Sequence, residues 1–308
     1  MKLLWLDLNS SYAHSSLALP ALHAQIADDT TIEWCIVSAT INENTGMVVS
    51  RIHKHRPDII AATNWLFNHE QLLHIISRAK ALLPHCCIVL GGPEFLGNNE
   101  AFLYKNKFVS GVFRGEGEEV FPQWLKVWNH SKETWKSITG LCYLDENGRY
   151  QDNGIARVMN FSQLVSPEKS CFFNWSKPFV QLETTRGCFN TCAFCVSGGE
   201  KPVRTIPLEA IRERLNDIHQ HGIKNVRVLD RTFNYNNKRA KELLDLFRQY
   251  PDICFHLEIH PALLSEELKQ ELSVLPKGLL HLEAGIQSLK ESVLQQSRRI
   301  GKLSDALE

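Results

Sequence analysis

Pro178-Phe179-Val180-Gln181-Leu182-Glu183-Thr184-Thr185-Arg186-Gly187-Cys188-Phe189-Asn190-Thr191-Cys192-Ala193-Phe194-Cys195 is the stretch on which the reading of this chain turns. Its first five residues are an apolar run that predicts a strand. The remainder predicts a loop leaving the strand end. Three of the nine cysteines fall there within eight positions, spaced C-x3-C-x2-C. Such a loop can wrap three sulfurs around one centre while the strand keeps it rigid.

Three thiolates are an informative number. Structural zinc takes four ligands, typically as two paired knuckles. Electron-transfer iron–sulfur clusters take four cysteines, one per iron of a [4Fe–4S] cube. With three, one iron stays open to a substrate or cofactor. Two other readings stand beside this one: a buried cluster of reduced thiols, and a zinc site borrowing a fourth ligand. Cys171 is the nearby candidate for a fourth sulfur and reads instead as a free or buried thiol.

The 308 residues suffice for two ordinary domains, and 44 % hydrophobic with 22 % charged residues is a globular composition. Lys+Arg and Asp+Glu balance at 34 each, so no net field draws in nucleic acid or an anionic membrane. The apolar start, Met1 to Leu6, stops at Asp7, too short for a signal peptide, and no later run is long enough to predict a membrane span. An odd cysteine count with one cluster argues against a disulfide framework and predicts a cytoplasmic protein.

Ahead of the cysteine loop, residues 2–8, 31–37, 58–63, 86–90 and 108–113 read as strands. Helical patterns lie at 16–26, at 70–83 before Pro84, and after Gly117. This alternation predicts an α/β domain with a doubly wound parallel sheet, whose ligands bind beyond the carboxyl ends of the strands. Residues 140–150 read as a hairpin, and 155–176 as an interdomain connection. Behind the loop, helices at 207–221, 238–249, 265–274 and from 289 alternate with strands at 224–230, 254–259 and 279–286. With the first strand these make four βα units, a partial βα barrel with its site at the strand ends. The ends carry Asp230-Arg231-Thr232-Phe233-Asn234, Glu258-Ile259-His260-Pro261 and Glu283-Ala284-Gly285-Ile286-Gln287-Ser288. Scattered histidines show no ligand spacing, and His14 reads as a hydrogen-bonding or surface residue rather than a ligand.

The cysteine spacing, with an aromatic residue before the last Cys, resembles the signature of the radical S-adenosylmethionine (SAM) superfamily. Ala62-Thr63-Asn64, Leu90-Gly91-Gly92-Pro93-Glu94 and Arg114-Gly115-Glu116-Gly117-Glu118 resemble the cobalamin-binding domain that precedes many radical SAM domains. Leu229 to Asn234, Gly285 to Ser288 and Leu8 to Leu19 resemble an uncharacterised bacterial group joining the two. The implied architecture is an N-terminal doubly wound Rossmann-like domain (1–135), a hairpin and linker (136–177), and a partial radical SAM barrel (178–308). The resemblance implies cluster ligands Cys188, Cys192 and Cys195, and SAM contacts from Phe194, Ser197, Asp230, Arg231, Glu258, Gln287 and Ser288. Cobalamin would be met by Thr63, Asn64, Gly91, Gly92, Gly115 and Glu116. The D-x-H-x-x-G pattern of the best-known cobalamin domains is absent around His14, which leaves an empty docking domain as the alternative. Ser197-Gly198-Gly199-Glu200 imitates the superfamily's G-G-E motif one strand too early and reads as a glycine-rich loop near the cluster.

The resemblance implies an enzyme that cleaves SAM to a 5′-deoxyadenosyl radical, with an external electron donor and, if cobalamin is bound, methyl transfer to a substrate the sequence does not identify. A non-catalytic sensor or scaffold and an RNA-modifying methylthiotransferase-like enzyme are the alternatives. Neutral charge and the lack of an appended basic domain speak against the second. A radical SAM barrel usually has six βα units and this chain supplies four by Glu308, so a truncated, inactive fragment is a further expectation.

Overall fold

The computed structural model describes residues 1–13, 16–197 and 200–307. They form two compact units, the first Met1–Phe173 and the second from Asn174 onward.

In the first unit, strands β1 (Lys2–Asn9), β2 (Glu33–Thr40), β3 (Ile59–Thr63), β4 (Cys87–Gly91) and β5 (Gly111–Phe113) are parallel, in the order β2-β1-β3-β4-β5. Burial on both faces explains their continuous apolar runs. Leu4, Leu6, Leu8, Ile60, Ile88 and Leu90 share one core with Ile52 of helix α2 (Thr45–His55) and Leu72, Ile75 and Ile76 of α3 (His69–Leu82). On the opposite face Leu3, Trp5, Ile59 and Val89 pack with Leu19 of α1 (Ala18–Ala24) and with Phe121 and Trp124 of α5 (Val120–Leu125). A short α4 (Glu100–Lys105) lies between β4 and β5. Chain order reverses between β1 and β3, so the crevice of this doubly wound sheet opens at their carboxyl ends.

The hairpin expected within a linker instead extends this sheet. Strand β6 (Leu141–Leu144) adds antiparallel to β5, and β7 (Tyr150–Asp152) adds antiparallel to β6. Residues 153–173 also fold onto the first unit. Ala156 bridges to Gly115, the Gln25 side chain exchanges hydrogen bonds of 2.9 and 3.1 Å with the Val165 backbone, and Ser170 Oγ meets His23 Nδ1 at 2.9 Å. These contacts are non-local, which is why local periodicity read the segment as a connection.

In the second unit, parallel strands β8 (Val180–Leu182), β11 (Asn225–Val228), β12 (Cys254–Ile259) and β13 (Leu280–Ala284) lie in the order β13-β12-β11-β8. Between β8 and helix α6 (Leu208–Gln220) comes a two-residue ribbon, β9 (Thr185–Arg186) against β10 (Arg204–Thr205). Helices α7 (Asn237–Phe247), α8 (Glu266–Ser273), α9 (Glu291–Gln296) and α10 (Leu303–Leu307) follow. The expected four βα units are present. Residues of alternate parity point to opposite faces. Val180, Leu182, Val226, Val228, Phe255 and Leu257 are buried, and Phe255 stacks on Phe247 of α7 at 4.1 Å. The other face carries a register-matched row, Gln181, Arg227, His256 and His281. Arg227 reaches Glu258 at 3.4 Å and Glu283 at 3.7 Å, and His256 meets Glu283 at 3.0 Å.

Candidate cluster and cofactor sites

Leaving β8, the chain bends at Thr184 and enters the ribbon, so the cysteine loop is an excursion with a closed neck. Cys188 N–H donates to Glu200 O at 3.0 Å, and Ile206 N–H to Thr184 O at 2.9 Å. Gly187 has φ +92°, and a Cβ there would lie 2.5 Å from Glu200 O and 2.7 Å from Pro202 O. Glycine is required at this crossing. Arg186 pairs with Glu183 at 2.7 Å. At the far side of the loop, Ala193 N–H donates to Ser297 O at 2.9 Å, which sets the segment after α9 against it.

Cys188 and Cys192 are buried, each 7 % exposed, whereas Cys195 is exposed. Burial pushes the Cys188 thiol up. The Asn190 backbone N–H pulls it down, the Cys195 and Cys192 charges raise it, and Arg231 lowers it. The charges of Cys192 and Cys195 thus reach Cys188. Among the described residues, however, no three His, Cys, Asp or Glu side chains converge as a single ion requires. Structural zinc takes four ligands, whereas three thiolates leave one iron of a [4Fe–4S] cube open, so the donor count of this loop suits a cluster. All nine cysteines are free thiols.

The expected SAM contacts divide into groups. Phe194 is exposed on the cysteine loop and Ser197 is buried in it; Gly198 and Gly199 lie outside the described residues. Arg231 is exposed at the end of β11, with its charge felt at Cys188. Gln287, exposed with φ +73°, and Ser288, whose hydroxyl accepts Lys290 N–H at 3.1 Å, follow β13 on the segment that returns to the cysteine loop through Ser297. Glu258 lies on the polar sheet face, paired with Arg227.

Asp230 departs from expectation. It is 2 % exposed, and both carboxylate oxygens are occupied: Oδ1 accepts Thr184 N–H at 2.8 Å and Thr185 N–H at 2.9 Å, and Oδ2 accepts the Thr184 hydroxyl. Burial pushes its pKa up and these hydrogen bonds pull it down. A carboxylate so engaged is not presented to a ligand's amino group. The sequence marked Asp230 as polar at a strand end but did not reveal Thr184 and Thr185 as its partners.

At the carboxyl edge of the first unit's sheet, several expected cobalamin contacts serve the chain itself. The Asn64 side chain meets His69 Nδ1 at 3.1 Å, and its N–H donates to Gly91 O at 2.7 Å. A Cβ on Gly92 (φ +110°) would lie 2.4 Å from Asn64 O, and one on Gly115 (φ +102°) 2.2 Å from Ala156 O. Glu116 accepts Val158 N–H at 2.7 Å. These glycines permit close loop-to-loop packing at the strand ends. Thr63 is half-buried at the end of β3, and the space beside Gly91 is ordinary, with Phe113 Cβ 4.0 Å from its would-be Cβ. The loops that follow β1 and β3 also carry apolar side chains: Leu66 is 83 % and Tyr12 76 % exposed, and Trp65 stacks with Phe67 at 6.3 Å. Asn68 fixes this loop, donating to Leu8 O at 2.9 Å and Thr63 O at 3.2 Å while accepting Trp65 N–H at 2.9 Å. An apolar, aromatic shelf at a switch-point crevice fits a large flat macrocycle in kind. His14 lies outside the described residues.

Residues 8–125 match the B12 binding domain model, and residues 182–308 the Radical SAM superfamily model. The chain is 29 % identical over 201 residues to an uncharacterized methyltransferase of Pyrococcus horikoshii, covering 62 % of this chain and 43 % of that protein. It is 24 % identical over 270 residues to the hopanoid C-3 methylase of Methylococcus capsulatus, covering 82 % and 50 %. It therefore spans about half the length of these relatives. Its fold is similar to that of OxsB, a cobalamin-dependent S-adenosylmethionine radical enzyme solved with aqua-cobalamin and S-adenosylmethionine bound, at TM-score 0.79 and 17 % identity over 99 % of this chain and 46 % of that one. The two models, matched in succession, identify residues 8–125 as a B12 binding domain and residues 182–308 as a radical SAM domain.

Proposed function

We propose that this chain is the cofactor-binding portion of a cobalamin-dependent radical SAM enzyme, with Cys188, Cys192 and Cys195 holding a [4Fe–4S] cluster. One observation carries the reading: a neck-closed loop at the carboxyl edge of a parallel sheet presents three thiols and no fourth. When bound, the cluster and SAM supply one-electron reductive cleavage of a carbon–sulfur bond, and cobalamin supplies a methyl carrier.

The chain's own residues bind and orient. Arg231 stands exposed after β11, where its charge favours the Cys188 thiolate and its guanidinium can receive a carboxylate bidentately. Gln287 and Ser288 offer an amide and a hydroxyl from the segment tied to the cysteine loop. Phe194 gives an exposed ring for stacking. The Trp65–Phe67 shelf with Leu66 and Tyr12 gives apolar surface for the corrin ring, with Thr63 and Gly91 beside it. Free thiols throughout suit a reducing compartment such as the cytoplasm, where an external donor would supply the electron.

Anaerobic reconstitution tests the reading. The expected result is about four irons per chain with cluster absorbance. Loss of that iron is expected in Cys188→Ser, Cys192→Ser and Cys195→Ser, but not in Cys171→Ser. Release of 5′-deoxyadenosine or S-adenosylhomocysteine after reduction with SAM then separates an enzyme from a scaffold. Zinc alone, or two irons per chain, would overturn the cluster assignment.

A further inference from the structure

We propose that Asp230 is a positioning residue for the cluster loop, its carboxylate holding the bend that turns the chain from the sheet into the cysteine ribbon. The inference rests on the reading that Cys188, Cys192 and Cys195 hold a cluster. In a strand, successive backbone N–H groups point to opposite sides. Thr184 and Thr185 instead aim consecutive N–H groups at one oxygen, Asp230 Oδ1, at 2.8 and 2.9 Å. That convergence requires the chain to bend between β8 and β9, and without the bend the two strands would continue as one. The Thr184 hydroxyl on Oδ2 fixes the rotation of the carboxylate, so all three donors act on one rigid group.

The placement matters because the bend lies within four residues of Cys188. Between them stand Arg186, braced by Glu183 and paired with Arg204 across the ribbon, and Gly187 at the neck. An error in direction at Thr184 is therefore carried to the first sulfur, with little slack to absorb it. A buried carboxylate is costly to desolvate and is retained where its hydrogen bonds specify one arrangement.

The test compares wild-type protein with Asp230→Val, Asp230→Asn and Thr184→Val, all reconstituted anaerobically. Readouts are iron per chain, the rate of iron release to a chelator, and the electron paramagnetic resonance of the reduced cluster with and without SAM. Loss of a residue supporting a metal ligand commonly weakens a metal site about 10–100-fold, so D230V is expected to release iron at least ~10 times faster, with an altered resonance. Asp230→Asn keeps an oxygen for both N–H groups and is expected to restore most of the wild-type behaviour. Thr184→Val loses only the hydroxyl and should fall between. If D230V fails to fold, the other two variants carry the test, and wild-type release and resonance in both would overturn the inference. Wild-type behaviour in a folded D230V would do the same. A wild-type chain that takes up no iron overturns the cluster reading and this inference with it, whereas iron uptake matched by D230V overturns this inference alone.

Discussion

At Gly187 the chain crosses two of its own carbonyls with positive φ, so a single methyl is enough to disturb the neck of the cysteine loop. Gly187→Ala is expected to cost about 1–3 kcal/mol and to lower iron uptake. Denaturant unfolding and iron analysis check it, and an unchanged loop would show that the crossing has slack. A second residue reports on pH. His260 is 3 % exposed, and burial first, then the Arg299 charge, pushes its pKa down to about 4. The unfolded chain thus binds a proton between pH 6.5 and about 4 that the folded chain does not. This contribution is fully present above the ordinary histidine value and falls as pH drops through that window, by at most ~3 kcal/mol. His260→Gln should flatten the acid side of the stability curve; parallel curves for the two proteins would refute it. The three cysteines stand out in the sequence by their spacing, and the structure sets them on one loop. Asp230 was legible only as a polar strand end, since its partners lie 45 and 46 residues away.

Among elements, those with strong periodicity emerged from the sequence. Helix α3 ends ahead of Pro84 as its pattern predicts, β12 spans the predicted residues, and Ser265 caps α8 by accepting Leu268 N–H at 3.2 Å. Helix α2 was not singled out, although its buried Val48, Val49 and Ile52 form one face. The ribbon β9–β10 was invisible because two residues per strand carry no period. The hairpin was recognised, but its destination on β5 was not, because edge pairing depends on a partner distant in sequence. The loop after β3 offers a test at this scale. Asn68 satisfies three backbone groups from within the protein. Asn68→Ala should cost about 1–3 kcal/mol, and Asn68→Asp more, since it sets a carboxylate oxygen against two carbonyls. Denaturant melts of both variants check the order, and an Asp variant as stable as the Ala variant would contradict the assigned geometry.

For the whole molecule, zero net formal charge provides little repulsion between copies. Among the described strands β13 is paired on one side only, by β12, and Leu282 on it is 38 % exposed. An unpaired edge is a template for association. Concentration-dependent self-association is expected in sedimentation runs, and Leu282→Lys should reduce it; a monomer at every concentration would show that the edge is protected.

The polar face of the second unit's sheet has its own consequence. Arg227, Glu258, Glu283 and the two stacked imidazoles of His256 and His281 stand where a closed barrel would have a dry interior. These groups are paired with one another, yet stripping water from them would still cost several kcal/mol per ion, so the face favours polar over apolar contact. A guest rich in hydrogen-bonding groups can take the place of the departing water, whereas a bare hydrocarbon would have to leave it behind.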